Sequence, residues 1–388
     1  MKTLESPALM KITPRPAQVM ARGNGSYLWD ESGRQYLDFI QGWAVNCLGH
    51  CPAEIAQALA HQSTTLISPS PALHNRPQLN LAKRLVELSD FQNVHFANSG
   101  SEANEAAVKL ARKWGKTNRA GAFGVISTHN AFHGRTLAMM AASGKPGWEE
   151  MYPPFPGGFK KVPFGCSASM AQAVDENTVA LMVEPIQGEA GVVVPPAGYL
   201  ASLRALADRH NLLLIFDEIQ TGIGRTGHLF AYQGANVVPD IMTLGKGLGG
   251  GVPLSAVLAN ERASCFEYGD QGGTYNGNPL VTAVGKAILD IICAPSFLAG
   301  VRQREAALVA GLECLATTYG FLEIRGKGLL YAVRLPQSRA VEVVEAAFAL
   351  GLIINAPRPD LLRFMPSLRV SLGEIEEFLE ILAQALAD

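Results

Sequence analysis

Charge is scarce in this 388-residue chain: 17% of residues are Asp, Glu, Lys or Arg, and 32 basic against 34 acidic residues leave a formal net charge of −2. A nucleic-acid-binding domain needs a basic footprint, and the sequence offers none. No uncharged apolar run reaches the roughly 18 residues that read as a membrane span, although 48% of the residues are hydrophobic. The opening MKTLESPALMKITPRP has no charged segment leading into an apolar stretch, so a signal peptide is not expected. The six cysteines fall at 47, 51, 166, 265, 293 and 314 without the spacing of a disulfide framework. Reduced thiols and a cytoplasmic location follow as the expectation. Cys47, His50 and Cys51 lie close together, but further ligands at recognisable spacing are missing, so no metal is expected. Repeats of roughly 20–50 residues and low-complexity tracts are also absent.

What is present is a chain long enough for two or three domains, with apolar content to match. Short continuous apolar runs recur at 94–97, 123–127, 179–183, 212–216, 241–244 and 254–258. Runs of that kind, rather than alternating ones, mark strands buried on both faces. Helical patterns lie between several of them, as at 102–114 and 199–210, so a mostly parallel α/β sheet is expected. Residues 23–40 suggest a small hairpin. From about 280 helices dominate, and the last, 372–387, aligns Ile375, Phe378, Leu379, Leu382 and Leu386 on one stripe. These patterns divide the chain into an N-terminal segment (1–44), a large α/β domain (45–270) and a smaller C-terminal α+β domain (271–388) against which the N-terminal segment packs.

Ligands of open α/β sheets sit beyond the carboxyl ends of the strands, and the chemically useful residues fall there. Ser99-Gly100-Ser101 follows one strand, Glu184 another, Asp217 a third, and Lys246 a fourth after a single glycine. A lysine amine that forms a Schiff base, with a carboxylate that keeps a pyridine nitrogen protonated, is what pyridoxal 5'-phosphate (PLP) requires. An ionised Asp217 at the end of an apolar strand is costly unless paired. The glycines of LGKGLGGGVPL permit close backbone approach around Lys246. Taken singly, Asp217 reads as well as a strand cap, and Lys246 as a solvated loop lysine. Ser99 and Glu102 fit a capping box, and a free helix start with Gly100 suits a phosphate. Phe132 can stack on a ring, with His133 beside it, and Arg135 can grip a carboxylate. Gly222-Ile-Gly224-Arg-Thr-Gly227 matches the dinucleotide pattern only literally, because it is displaced from the strand and precedes a poor helix.

The segments SGSEANEAAVKLARK, FHGRT, EPIQGEAGV, DEIQTGIGRTG, GKGLGGGVPL and GTYNGNPL resemble, in this order, the class III PLP-dependent aminotransferases. The opening GSYLWDESGRQYLDFIQGWAVNCLGH and the late LRFMPSL are most similar to the acetylornithine aminotransferase subgroup. The resemblance runs from about residue 19 to the C-terminus. It implies a fold-type I homodimer with shared active sites. Lys246 would carry the cofactor and shuttle the proton, Asp217 would hold the pyridine nitrogen and Gln220 the ring hydroxyl. Gly100 and Ser101 would bind phosphate, Phe132 would stack on the ring, and Thr274 would reach the neighbouring subunit's phosphate. Arg135 would hold the substrates' distal carboxylate. Arg363 would hold the carboxylate next to the keto group of 2-oxoglutarate, with Glu189 masking it when the amine donor is bound. The implied reaction moves the δ-amino group of N-acetylornithine to 2-oxoglutarate. Departures keep the donor open: Gly273 stands where the family usually has a serine that touches the donor, Tyr275-Asn276 replaces Phe-Gly, and 68–78 lacks a frequent aromatic pair. N-succinylornithine, ornithine and 4-aminobutyrate are the alternatives.

Overall fold

The computed structural model describes residues 8–387. Three N-terminal strands, β1 (Met20–Asn24), β2 (Tyr27–Asp30) and β3 (Gln35–Asp38), form an antiparallel meander. Seven strands follow in one sheet: β4 (Asn93–Ala97), β5 (Gly124–Thr128), β6 (Phe159–Val162), β7 (Thr178–Val183), β8 (Leu213–Asp217), β9 (Ile241–Leu244) and β10 (Ser255–Ala259). Their spatial order is β4-β10-β9-β8-β7-β5-β6. Only β10 runs against its neighbours. The sheet is therefore mostly parallel, as the apolar runs predict.

Every residue of β7, β8, β9 and β10 is buried. Burying one Val, Leu or Ile side chain contributes about 1.5–3 kcal/mol, so these strands anchor the layer. Helices cover both faces. One face meets the alanine-rich side of helix Gly100–Asn118, where Ala103, Ala106, Ala107 and Ala111 are buried. On the other face, Leu203, Leu206 and Ala207 of helix Tyr199–Arg209 join the main core. The six expected strands all form, with ends shifted by one residue or less. Strand β6, Phe-Lys-Lys-Val, escapes the apolar-run criterion because it is the sheet edge, where lysines discourage further pairing.

Beyond the large sheet, β11 (Glu323–Lys327), β12 (Leu330–Arg334), β13 (Leu352–Ile353), β14 (Asn355–Arg358) and β15 (Leu361–Phe364) complete the strands. The order β11-β12-β15-β14 makes a third, antiparallel sheet, while β13 pairs in parallel with β3. These strands are too short, and too interrupted by glycine and proline, to read as runs. Phe39, just after β3, stacks on Phe378 of the terminal helix Leu372–Ala387 with ring centroids 4.1 Å apart. On that helix Ile375, Phe378, Leu382 and Leu386 are buried, and Leu379 is partly so. No single helix among the described residues is long and apolar enough to cross a membrane.

Candidate active site

A cavity of about 170 Å³ opens at the carboxyl ends of β4, β7, β8 and β9. Its lining includes Gly100, Ser101, Phe132, Glu184, Glu189, Asp217, Gln220 and Lys246. These residues span nearly 150 positions of sequence and meet because parallel strands deliver their following residues to one edge.

Asp217 ends β8 and is 3% exposed. Its Oδ2 accepts from Asn104 Nδ2 and from His133 Nδ1, both at 2.7 Å, and Oδ1 accepts from the Ile219 N–H at 3.1 Å. A carboxylate has about four acceptor sites, so Asp217 can receive a further donor from the cavity. Burial pulls the His133 imidazole down, but the hydrogen bond and charge of Asp217, with Glu184 beyond, carry it above its ordinary value. Asn104 also donates to the His133 carbonyl at 2.8 Å and accepts from Thr243 Oγ1 at 2.7 Å. Sequence reasoning passed over Asn104. Its one signal was a polar residue on the buried alanine face of its helix.

Lys246 follows β9 with φ of +40°, a left-handed conformation that costs an ordinary residue roughly 1–2 kcal/mol. Burial drives its amine pKa down. Arg363 lowers it further, and Glu189, Asp217 and Glu184 oppose the shift. A lowered amine is more readily the free base that attacks a carbonyl or accepts a proton. Glu184, just past β7, is pushed up to about 8, chiefly by burial, with Asp217 adding to the rise. Its Oε2 accepts from the Phe132 N–H at 3.1 Å, which fixes that aromatic residue at the cavity.

The capping box at the start of helix Gly100–Asn118 forms: the Glu102 N–H donates to Ser99 Oγ at 3.3 Å, and the Ser99 N–H to Glu102 Oε2 at 2.7 Å. The helix start faces the cavity through Gly100 and Ser101, an arrangement suited to an anion. A Cβ on Gly100 would lie 3.0 Å from Ile219 Cγ2, so packing as well as ligand approach favours glycine there. Gly134, at φ of +140°, lets the FHGRT turn pass Ser101, whose Oγ accepts from the Arg135 N–H at 3.1 Å.

Gln220 is buried, yet neither its Oε1 nor its Nε2 has a partner. Leaving a buried polar group unsatisfied costs about 1–3 kcal/mol. The space in front of Gln220 is therefore built for a polar ligand. A Cβ at Gly188 would come within 1.6 Å of Gln220 Oε1, so the glycine of QGEAG makes room for that amide.

Glu189 and Arg363 pair at 2.7 Å, with the arginine side chain fully buried. Arg363 also donates to Asn355 Oδ1 at 2.9 Å and to the Gly188 carbonyl at 2.7 Å, and its Nη2 has no partner. The Arg363 charge holds the Glu189 carboxyl below its ordinary value against burial, the largest influence on it.

The remaining expected residues lie outside this cavity. Arg135 is exposed, with its guanidinium 5.1 Å from the Trp148 ring centroid. Thr274 is exposed and Gly273 half-buried. A Cβ at Gly273 would fall 2.6 Å from the Asn276 side-chain amide, which binds Asn98. The neighbouring Cys47 and His50 face different partners, the Gly247 carbonyl and Asp38 Oδ2. Among the described residues no three His, Cys, Asp or Glu side chains gather as a metal site. The Gly222–Gly227 segment runs into turns and a five-residue helix, Ala231–Ala235, not a helix start fed by a strand. Its Arg225 is a buried tie, donating to the Leu329 and Pro366 carbonyls at 2.9 and 2.5 Å.

A buried lysine with a lowered pKa, a buried carboxylate and a helix start for an anion, arranged on this fold, are the features of one enzyme class, and the family comparison decides it. The family model Aminotransferase class-III matches residues 12–386. The chain belongs to the class-III aminotransferases. Among its relatives is acetylornithine aminotransferase 2 of Bordetella bronchiseptica, 53% identical over 98% of this chain and 97% of the relative. Acetylornithine aminotransferase of Ralstonia nicotianae is 51% identical with the same coverage. Among solved structures, N-acetylornithine aminotransferase from Stenotrophomonas maltophilia K279a superposes with a TM-score of 0.85 at 35% identity, covering 96% of both chains. Ornithine aminotransferase from Toxoplasma gondii gives 0.93 at 32% identity, covering 98% of this chain and 92% of the other. In a class-III aminotransferase the fold is the fold-type I arrangement expected from the sequence.

Proposed function

We propose that this class-III aminotransferase uses PLP to move the δ-amino group of N-acetylornithine to 2-oxoglutarate, giving N-acetylglutamate 5-semialdehyde and glutamate. The observation that carries the reading is the Glu189–Arg363 pair bordering the cavity that holds Lys246. An arginine that can be masked or uncovered serves two substrates that differ by one carboxylate. The identity of about half to two acetylornithine aminotransferases along nearly the whole chain supports the donor.

When bound, PLP supplies an electron-accepting ring that stabilises a carbanion. The residues present fit it. Asp217 has acceptor capacity for a pyridinium N–H, the unpartnered Gln220 amide suits the ring hydroxyl, and Gly100 and Ser101 offer the helix start to the phosphate. Phe132 presents its ring at the same cavity. His133 and Asn104 position Asp217 by donating to its Oδ2. Lys246 Nζ, deprotonated more easily than an ordinary lysine, would anchor the cofactor, and would then carry the proton from the substrate carbon to the cofactor in the donor half and back in the acceptor half. In the donor half-reaction Glu189 neutralises Arg363. In the acceptor half the keto acid's own carboxylate takes its place, and Arg135 holds the distal carboxylate. Thr274 and Gly273, outside the cavity of their own chain, act across a homodimer interface.

The test is a donor panel with 2-oxoglutarate as acceptor. N-acetylornithine is expected to give the highest kcat/KM, above N-succinylornithine, ornithine and 4-aminobutyrate. A different leader would overturn the donor assignment while leaving the chemistry. Lys246→Ala should abolish turnover and keep the fold, and normal transamination by that variant would refute the mechanism.

A further inference from the structure

The loop 187–193 has two working sides. Glu189 enters the Lys246 cavity, while Gln187, Ala190 and Val193 line a second cleft of about 580 Å³. Arg325, Arg334 and Arg358 border that cleft with one carboxylate, Asp360. Arg334 Nε engages Asp360 at 2.8 Å, and Arg325 Nη1 reaches Glu323 at 2.9 Å. Arg358 has no carboxylate partner among the described residues; its Nη2 donates to Asn130 Oδ1 across the cleft at 2.8 Å. One guanidinium is thus in excess, with the His129 ring nearby. Phe164, Val193 and Leu361 give the cleft apolar walls, which focus a positive field onto whatever enters.

We propose that this cleft binds a compact anion with at least two negative charges, a polycarboxylate or a phosphate, anchored by Arg358 and Arg334. Planar guanidiniums suit both classes through bidentate hydrogen bonds. Asn130 and Arg358 come from opposite walls, after β5 and within β14, so a bound anion bridges the large sheet to the C-terminal one. The cleft also holds the loop. Arg325 Nε donates to the Gly191 carbonyl at 2.8 Å, and a Cβ at Gly191 would meet Leu361 Cδ1 at 2.6 Å. An occupant therefore stiffens the segment that carries Glu189 and keeps it on Arg363. The consequence is a selectively raised KM for 2-oxoglutarate, which must uncover Arg363. That consequence rests on the reading of Glu189 given above; the binding site does not.

The experiment is calorimetric titration of the PLP-loaded enzyme with citrate and, separately, with inorganic phosphate, at ionic strength fixed with potassium chloride. Saturable binding of at least one is expected, weakened tenfold or more by Arg358→Gln and also by Arg334→Gln. Which of the two binds identifies the ligand chemistry. No saturable binding of either, or unchanged affinity in Arg358→Gln, would overturn the site. With the bound anion saturating, the 2-oxoglutarate KM should rise several-fold in the unaltered enzyme and not in Arg358→Gln. An unchanged KM despite binding would overturn the coupling. Failure of the aminotransferase reading would look different, as absent turnover with binding intact.

Discussion

Removing the Glu189 carboxylate should separate the two halves of the reaction. Arg363 is fully buried and Glu189 is 28% exposed at its side chain. Glu189→Ala leaves the guanidinium with only neutral acceptors, Asn355 Oδ1 and the Gly188 carbonyl. Breaking a fully buried pair costs about 3–5 kcal/mol. Here water can enter from the cavity beside Glu189, so a loss of about 2 kcal/mol in stability is expected. The Glu189 pKa is depressed in the folded state, so its contribution is complete above the ordinary value of 4.5 and disappears as pH falls through the lower folded value. The stability gap between the two proteins should close in that acidic window. Catalytically, 2-oxoglutarate brings its own carboxylate to Arg363, and the monocarboxylate donor cannot. A charge-assisted hydrogen bond is worth about 1.5–3 kcal/mol, which corresponds to roughly 10- to 150-fold. Single-turnover stopped-flow measurements should find the donor half slowed by that factor and the acceptor half changed by about threefold or less. Equal losses in both halves would refute the masking role and leave a structural ion pair.

Glu218 gives a pH test independent of the chemistry. It is fully buried, its Oε2 and Oε1 accept from the Ala231 and Tyr232 N–H groups, and burial pushes its pKa up to about 7. With the folded value above the unfolded 4.5, stability falls as pH rises from 4.5 to 7, by about 3 kcal/mol. Glu218→Gln should flatten that decline in denaturant titrations, and an unchanged slope would disprove the assignment. Gly188→Ala should displace Gln220, whose Oε1 would lie 1.6 Å from the new methyl. The expected result is at least tenfold weaker PLP retention on dialysis with the fold intact, and wild-type retention would count against Gln220 as a cofactor ligand. His133→Phe should remove the Nδ1 hydrogen bond that positions Asp217 and lower kcat more than KM; a change confined to KM would count against its positioning role.

Much of the site was legible because its signals are local. The Ser99–Glu102 capping box depends on a three-residue spacing that any helix start realises. Asp217 and Lys246 stood at the ends of apolar runs, and parallel strands bring such ends to one edge. Gln220 and Glu189 were assigned by resemblance, since nothing in their immediate spacing announces a ligand. Asn104 and Gly188 were overlooked for a similar reason. The contacts of Asn104 are made with residues 29, 113 and 139 positions away. Gly188 matters through one side-chain atom of Gln220.

The sequence by itself determined the mostly parallel sheet, the class and the chemical inventory of the site, because strand burial, helix capping and motif order are written in neighbouring residues. Only the tertiary structure decided the electrical state of that inventory. Glu184 rises to about 8 and Lys246 falls because segments far apart in the chain exclude water from both. Arg363 finds Glu189 across 174 positions for the same reason. A side chain's charge is a property of its surroundings, and those exist only once the chain has folded.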